Sequence, residues 1–258
     1  MSGSEGAAAN DVAVATADLA VTYTTFLERK PTLKRTLARW QRGERVRRTV
    51  DALRGVDLTV PRGGVVAVVG ANGAGKSTLL RAIAGIVPPT RGEVRVRGRV
   101  TALLRTGLGF NPVLTGRENI VLGGLAVGMS EAEVRARMDS IVEFAGLGDL
   151  IDAPLRVYSS GMSSRLGFAV AAHLDPDVLL LDEALSAGDE AFRERCETHI
   201  RRLVDSDATV VIVTHALQQA VELADRVVWL RDGLVARDGE PGDVVAAYRR
   251  FAHGDSDA

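Results

Sequence analysis

An eight-residue stretch, Gly70-Ala71-Asn72-Gly73-Ala74-Gly75-Lys76-Ser77, constrains the fold more than any other part of the sequence. It matches the pattern G-x-x-x-x-G-K-[ST]. The continuous apolar run at residues 65–69 is typical of a buried parallel strand, and residues 78–85 have a helical pattern. Because glycines let backbone N–H groups point inward at a helix N-terminus, the arrangement predicts a cradle for phosphate groups. Residues 70–77 are called the phosphate loop below.

The side chains of the phosphate loop predict bound ATP together with Mg²⁺. Lys76 can reach the β- and γ-phosphates, and the Ser77 hydroxyl can be a ligand of Mg²⁺. The predicted nucleotide-binding residues of this region are Gly70, Asn72, Gly73, Ala74, Gly75, Lys76, Ser77 and Thr78. The alternative is a glycine-rich turn that contains an incidental lysine.

A second apolar run, residues 178–181, ends on two carboxylates, Asp182 and Glu183. At the end of a buried strand, Asp182 is placed to hold Mg²⁺. Glu183 points elsewhere because side chains alternate along a strand, and we predict that it is the general base that polarises the attacking water. His215 follows another apolar run, and it is either a structural residue or a sensor of the γ-phosphate.

The rest of the chain alternates between strand and helix patterns, which predicts an α/β fold with a helical insertion. The other predicted strands are residues 12–24, 53–60, 93–104 and 209–213, with a closing hairpin at 227–230 and 234–237 around Asp232-Gly233. Residues 115–172 have a mostly helical pattern, with a capped helix start at Ser130. Residues 1–11 are predicted to be a disordered N-terminal tail.

Composition excludes several classes of protein. Cys196 is the only cysteine, so neither an intrachain disulfide nor a multi-cysteine metal site is possible. No apolar run approaches the roughly 18 residues that a membrane-spanning helix needs. The N-terminus lacks the layout of a signal peptide, and we expect a cytoplasmic protein. The net charge of −1 provides no general reason to expect binding to nucleic acid.

A basic insertion at about residues 24–50 interrupts this pattern. It contains nine arginines and lysines but only two acidic residues, Glu28 and Glu44, with apolar side chains at near-helical spacing. One interpretation is a solvated, partly helical loop. A second interpretation is a basic amphipathic segment that lies near anionic lipid or a membrane partner. A third is binding to nucleic acid, which nothing else in the chain supports.

The stretch Tyr158-Ser159-Ser160-Gly161-Met162-Ser163-Ser164-Arg165-Leu166 resembles the signature motif of ABC-type ATPases, usually written L-S-G-G-Q. Ser160 replaces the first glycine of that motif, and Met162 replaces its glutamine. The block Asp-Glu-Ala-Leu-Ser-Ala-Gly-Asp at 182–189 resembles the Walker B motif and D-loop of the same family. The order of motifs is also that of the family, and the resemblance covers about residues 12–248.

This resemblance implies a P-loop NTPase core of ABC ATPase type, with a helical subdomain at about 115–172 and an N-terminal antiparallel β part. A domain over 12–248 would then be followed by a C-terminal tail, 249–258. The family contacts ATP at the positions of Ser159, Ser160, Gly161 and Asp189. The resemblance also implies that Tyr23 stacks on adenine; the alternative is an ordinary strand tyrosine.

Three stretches narrow the resemblance to one branch, the ATPases of exporters of O-antigen, teichoic acid and related lipid-linked polysaccharides. They are Leu-Thr-Gly-Arg-Glu-Asn-Ile at 114–120, Arg-Leu-Gly-Phe-Ala-Val-Ala at 165–171 and Gly-Asp-Glu-Ala-Phe at 188–192. The basic insertion also resembles this branch.

Two features of this sequence differ from those of its relatives in the family. No glutamine occurs between Gly92 and Ser130, so the Q-loop glutamine, expected near Arg105–Thr106, is missing. The chain also stops soon after Tyr248, where some relatives carry a carbohydrate-binding domain, and we expect substrate selection elsewhere.

With one phosphate loop and one signature per chain, the resemblance implies a homodimer in which each ATP lies between two copies. It implies further partners: two copies of a membrane-spanning permease, with a lipid-linked polysaccharide as transported substrate, at the cytoplasmic face of the membrane. We expect no nucleic acid partner. The alternatives are the ATPase of an ABC importer or drug exporter, a soluble ABC ATPase that acts on ribosomes or DNA, and a protein that binds nucleotide without turnover.

Overall fold

The computed structural model describes residues 11–26, 47–103, 109–174, 176–182, 190–206 and 208–253. Nine strands lie in this part of the chain: β1 Val12–Phe26, β2 Arg47–Pro61, β3 Val65–Val69, β4 Arg91–Val96, β5 Val100–Leu103, β6 Val178–Asp182, β7 Thr209–Val213, β8 Arg226–Arg231 and β9 Leu234–Gly239. Its α-helices are α1 Lys76–Ile83, α2 Gly116–Ala126, α3 Glu131–Ala145, α4 Ser160–Ala172, α5 Glu190–Asp205, α6 Leu217–Leu223 and α7 Pro241–Ala252. The predicted α/β class is confirmed.

The strands form two sheets. In the larger sheet the order is β5-β6-β7-β3-β8-β9, and every pair is parallel except the last, β8 with β9. The smaller sheet, of order β2-β1-β4, is antiparallel. Because the parallel strands all run in one direction, the ends of β3, β6 and β7 lie at the same edge of the large sheet, where open α/β sheets bind ligands.

The hydrophobic core fills both faces of the large sheet. Side chains alternate along each strand, so Val66 and Val68 of β3 pack towards α1 and the small sheet. Val65, Ala67 and Val69 pack on the opposite face, against helices that include α4 and α5. Burial on both faces explains why β3 is wholly apolar and why β6 and β7 each contain a single polar residue, Asp182 and Thr209, at one end.

The segment at 115–172 contains α2, α3 and α4 with two short 3-10 helices, Gly148–Asp152 and Leu155–Val157. The predicted helix start at Ser130 is confirmed: its side chain accepts a hydrogen bond from Glu133 N, and Glu133 caps the Ser130 backbone in return. Thr115 and Glu118 cap α2 in the same way. These backbone and hydroxyl hydrogen bonds hold the pKa of both glutamates below the usual range.

The structure corrects several predicted boundaries. The single strand expected at 93–104 is two strands in different sheets, because Gly98, at a φ of 93°, turns the chain from one sheet to the other. β1 and β2 extend to Phe26 and from Arg47, because their antiparallel ladder continues as far as that pair. The ends of the basic insertion predicted at 24–50 are therefore strand, and its residues 27–46 lie outside the described part.

At both ends, described residues extend into the expected tails, whose remaining residues, 1–10 and 254–258, lie outside the described part. Asp11, assigned to the N-terminal tail, accepts a backbone hydrogen bond from Arg62 N at 2.8 Å. Helix α7 continues to Ala252, through residues assigned to a tail at 249–258. It is held there by its aromatic side chains: the ring centroids of Tyr248 and Phe251 lie 5.6 and 5.2 Å from that of Trp229. Among the described helices, none has both the length and the apolar character needed to cross a bilayer.

Candidate functional site

The phosphate loop connects the end of β3 to the start of α1. Gly70, Gly73 and Gly75 have φ angles of 148°, 83° and 105°, which L side chains rarely adopt. Two of these glycines also touch neighbouring backbone. A Cβ at Gly70 would lie 2.3 Å from Leu230 O, and one at Gly75 would lie 2.5 Å from Ala52 O. Glycine is therefore required at both positions by space as well as by conformation.

The β2 strand and the β8–β9 turn support the loop from behind. Gly233 N donates to Ala74 O at 3.1 Å, and Arg54 N donates to Gly233 O at 2.9 Å. Ala74 is buried, whereas Ala71, Asn72 and Gly73 form the exposed rim of the loop. The sequence predicted the Asp232-Gly233 turn but contained no signal that it contacts the phosphate loop.

Lys76, the first residue of α1, is buried at 6% exposure. Its Nζ donates hydrogen bonds to Gly70 O at 2.8 Å and to Ala71 O at 3.0 Å. The ammonium group thus binds two carbonyl groups of its own loop, and its residue is the first of α1. A charge in this position, next to a helix N-terminus, favours a bound anion such as a phosphate group. Thr78 follows in the same turn and is half-buried.

Ser77 and Asp182 meet across the edge of the large sheet. Ser77 Oγ donates a hydrogen bond to Asp182 Oδ1 at 3.2 Å, although the residues lie 105 positions apart in sequence. Asp182 is the last residue of β6 and is only 2% exposed. A hydroxyl and a carboxylate are oxygen ligands of the type that Mg²⁺ prefers, so the pair fits this ion, with phosphate and water oxygens completing the shell.

His215 lies at the same edge, just beyond β7 and next to β3. Thr214 N donates to Val68 O at 3.4 Å, which ties this turn to the strand before the phosphate loop. The Thr214 Oγ1 accepts a hydrogen bond from Ala216 N at 3.0 Å. This bond spans His215 and shapes the turn that carries it, and His215 itself is exposed.

Tyr23 lies on β1 opposite Val50 of β2 and is 37% exposed. Ala52, whose carbonyl touches Gly75, is two residues further along β2. Tyr23 is thus an exposed aromatic ring on the ladder that borders the phosphate loop, and its stacking on adenine stays a prediction.

The signature residues lie on the helical part of the chain, at 115–172. Ser159 is the N-cap of α4, and its side chain accepts a hydrogen bond from Met162 N at 3.2 Å. Ser159 and Ser160 are exposed, and Gly161 is half-buried. They therefore present a helix N-terminus to the surface, which suits contact with an anion. Within one chain, these residues belong to the helical segment at 115–172, whereas the phosphate loop follows β3 of the large sheet.

The other predicted site residues, Glu183 and Asp189, lie outside the described residues, as does the position of the Q-loop glutamine near 105–106.

Asn119 was not among the predicted site residues, and it is fully buried at 0% exposure. Its Oδ1 accepts from Asn111 N, and its Nδ2 donates to Asn111 O, Leu114 O and Thr115 O at 2.7–3.0 Å. It thereby shapes the loop that enters the helical part. An asparagine inside an apolar helix was the signal available.

The chain matches a known protein family and is similar to several known proteins. Residues 53–186 match the family described as ABC transporter. The chain is 47% identical over 230 residues to the O-antigen export system ATP-binding protein of Myxococcus xanthus, covering 88% of this chain and 51% of that protein. The corresponding protein of Klebsiella pneumoniae is 42% identical over 199 residues, which cover 77% and 81% of the two chains. This chain therefore spans about half the length of the first relative.

A teichoic acids export ATP-binding protein of Listeria innocua is 43% identical over 200 residues, covering 78% of this chain and 59% of that protein. Among solved structures, an ATP-binding cassette dimer in a post-hydrolysis state with ADP and Pi has a TM-score of 0.69 at 25% identity, covering 88% of this chain and 98% of that one. A dimeric bacterial ABC transporter cassette has a TM-score of 0.70 at 25% identity, with the same coverage.

Proposed function

The chain belongs to the ABC transporter family, and we propose that it is the ATP-hydrolysing subunit of a transporter that exports a lipid-linked polysaccharide. The O-antigen and teichoic acid export names of its relatives support this substrate class, within which a cell-wall galactan also fits. The observation that carries the ATPase part of the proposal is the Ser77–Asp182 hydrogen bond, which joins the phosphate loop to the end of β6. ATPases of this family bind ATP, and the phosphate loop is the site for it here.

We assign each described site residue a role in this proposal. The backbone N–H groups of the phosphate loop bind the phosphates, and Lys76 exchanges its loop carbonyls for β- and γ-phosphate oxygens. Ser77 and Asp182 hold Mg²⁺, which when bound would offset phosphate charge. Tyr23 stacks on adenine, and His215 contacts the γ-phosphate from the end of β7.

Glu183 directly follows Asp182, and we assign it the role of general base that takes a proton from the attacking water. Such a base within hydrogen-bond reach of the water contributes about 10²–10⁴-fold to the rate. Asp189, in the stretch that resembles the D-loop, is assigned a contact with ATP.

The site is completed by a second copy of the chain. Ser159, Ser160 and Gly161 lie at the N-terminus of α4, and its exposure lets it approach the nucleotide of another copy. Two solved structures of similar cassettes are dimeric, one with bound ADP and Pi and one of a bacterial ABC transporter. Both support this arrangement. We therefore propose a homodimer that closes around two ATP molecules, bound to two permease subunits at the cytoplasmic face of the membrane, with no nucleic acid partner.

Substitution of the proposed base tests this function. Glu183→Gln should lower ATP turnover by at least about 10²-fold, because the amide cannot accept the proton from water. It should at the same time leave a stable ATP-bound dimer, seen by size-exclusion chromatography. Glu131→Gln is the matched control, because Glu131 is an exposed partner of Arg135 on α3 and such pairs contribute little. Undiminished hydrolysis by Glu183→Gln would contradict the assignment.

The substrate class is tested in cells. Depletion of the protein should cause a lipid-linked glycan to accumulate on the cytoplasmic side, and expression of the wild-type chain should clear it. The Glu183→Gln chain should fail to clear it although it is folded and binds ATP. Normal glycan export in depleted cells would contradict the proposed substrate class and leave the ATPase assignment to the turnover assay.

A further inference from the structure

Two arginines and a phenylalanine form a compact cluster away from the phosphate loop. Phe192 on α5 is fully buried at 0% exposure. Arg165 of α4 and Arg195 of α5 place their guanidinium carbons 5.1 and 5.5 Å from the centroid of the Phe192 ring. Both distances are within the range of cation–π attraction, about 6 Å. Arg165, Phe192 and Arg195 are called the arginine clamp below.

Both guanidinium groups of the clamp also bind the C-terminal end of α3. Arg195 Nη1 donates to Phe144 O at 3.2 Å, and Arg165 donates from Nε to Ala145 O at 3.1 Å and from Nη2 to Gly146 O at 3.0 Å. These are carbonyls at a helix end, where partners within the helix are lacking and the helix dipole favours a positive charge. Three successive carbonyls are thus satisfied by two side chains from two other helices.

Gly146 makes this contact possible. It ends α3 in the left-handed conformation, at a φ of 59°. A Cβ there would lie 2.9 Å from Arg165 Nη2 and 3.1 Å from Arg195 Nη2. The rings of Phe144 and Phe168 close the cluster, each with its centroid 5.9 Å from that of Phe192.

The clamp lies between the two segments that matter at a shared nucleotide site. Arg165 is four residues after Gly161, on the same face of α4, so it holds the helix that begins with the signature residues. Phe192 is the third residue of α5, the first described element after Asp182. The clamp therefore joins the signature helix to α5, with the end of α3 as a common anchor.

We propose that the arginine clamp is a positioning device for ATP hydrolysis. It holds Ser159, Ser160 and Gly161 of one copy at the place where they meet the nucleotide of the other. The inference rests on the proposed shared site. Cation–π and forked guanidinium contacts are specific in geometry, and displacement of a reacting group by about 1 Å can cost up to 10²-fold in rate. Arg165, Phe192 and Arg195 touch no reacting atom and are positioning residues.

Two single variants remove the clamp in different ways. Arg165→Met keeps an unbranched side chain but removes all its hydrogen-bond donors, and Phe192→Leu keeps an apolar side chain but removes the ring face. We expect each to lower kcat by about tenfold, because the signature shifts, while ATP binding to the monomer is unchanged. Arg165→Lys keeps the charge but cannot reach two carbonyls and stack at once, so it should restore only part of the rate.

A pair of heterodimers separates positioning from simple stability. In the first, an Arg165→Met chain is paired with a Lys76→Ala chain, so the bound ATP faces a signature with an intact clamp. In the second, a wild-type chain is paired with a chain that carries both Lys76→Ala and Arg165→Met, so the bound ATP faces a signature whose clamp is broken. The two dimers contain the same substitutions, and single-turnover hydrolysis is measured in each.

We expect the second heterodimer to be about tenfold slower than the first. Equal rates would overturn the proposal, because loss of stability affects both dimers alike. A dimer of wild-type and Lys76→Ala chains serves as the reference. If this reference is inactive while the wild-type homodimer turns over, closure needs ATP at both sites, and dimer formation replaces single-turnover hydrolysis as the test of the clamp. A wild-type homodimer without ATP turnover would be a failure of the proposed function and not of the clamp.

If the reference heterodimer is inactive, ATP-driven dimer formation tests whether the clamp has a positioning role. In a Glu183→Gln background, Arg165→Met should raise the ATP concentration needed for half-maximal dimer formation by about tenfold. An unchanged ATP requirement would overturn the positioning role. The same measurement with Phe192→Leu provides a second variant if Arg165→Met fails to fold.

Discussion

Gly75→Ala probes the tight contact between the phosphate loop and β2. Gly75 has a φ of 105°, and a Cβ there would lie 2.5 Å from Ala52 O and 2.8 Å from Leu53 Cδ2. Ala52 lies within β2, which is paired with β1 along most of its length, so its carbonyl cannot yield as a flexible side chain could. The substitution therefore introduces both backbone strain and a collision with backbone.

These two effects can be estimated separately. Forcing a residue with a side chain into the left-handed region costs about 1–2 kcal/mol, and inserting a methyl group into a packed site costs about 1–3 kcal/mol. Gly75→Ala should thus lower the free energy of unfolding by about 2–5 kcal/mol. Gly73→Ala is the matched control, because Gly73 has a φ of 83° but no atom within 4 Å of a Cβ. It should cost only the first part, about 1–2 kcal/mol.

The assay is urea unfolding without nucleotide, followed by circular dichroism. Equal slopes for the three proteins would show that the same surface is exposed on unfolding, so that midpoints can be compared. Of the two variants, Gly75→Ala should unfold at the lower urea concentration. The difference should correspond to about 1–3 kcal/mol in the free energy of unfolding. Identical midpoints would refute the reasoning, because the Ala52 carbonyl would then place no limit on the loop.

Two further predictions concern a half-buried histidine and the proposed metal ligand. Burial lowers the pKa of His199, with smaller contributions from His173 and Arg202. The unfolded chain therefore binds more protons than the folded chain below about pH 6.5. The free energy of unfolding should fall as the pH drops through that value. Melting curves at several pH values should show this dependence, and His199→Phe should flatten it; an equally steep dependence in the variant would rule out His199 as its source. Asp182→Asn keeps an oxygen acceptor for Ser77 but removes the charge, so the Mg²⁺ concentration needed for ATP binding should rise by about tenfold or more. A Mg²⁺ titration with a fluorescent ATP analogue measures this, and an unaltered requirement would show that Asp182 does not hold the ion.

Several features were predictable because they depend on neighbouring residues. The apolar run of β3, the glycines of the phosphate loop and the start of α1 lie within about 20 positions of one another. Their pattern determines a strand, a turn and a helix in that order. The capped helix start at Ser130 and the hairpin turn at Asp232-Gly233 are local in the same sense. Strand lengths were less predictable, because β1 and β2 extend each other by pairing across the basic insertion.

The tertiary structure decided which of these local pieces meet. The order β6-β7-β3 brings Asp182 to Ser77, and the packing of β2 behind the phosphate loop brings Ala52 to Gly75. The crossing of α4 and α5 at the end of α3 places Arg165 over Phe192. Such pairs are set by strand order and helix packing across the whole chain, so no short pattern contains them. The sequence by itself thus determined the phosphate loop and the types of elements around it, while the shape of the site depended on long-range packing.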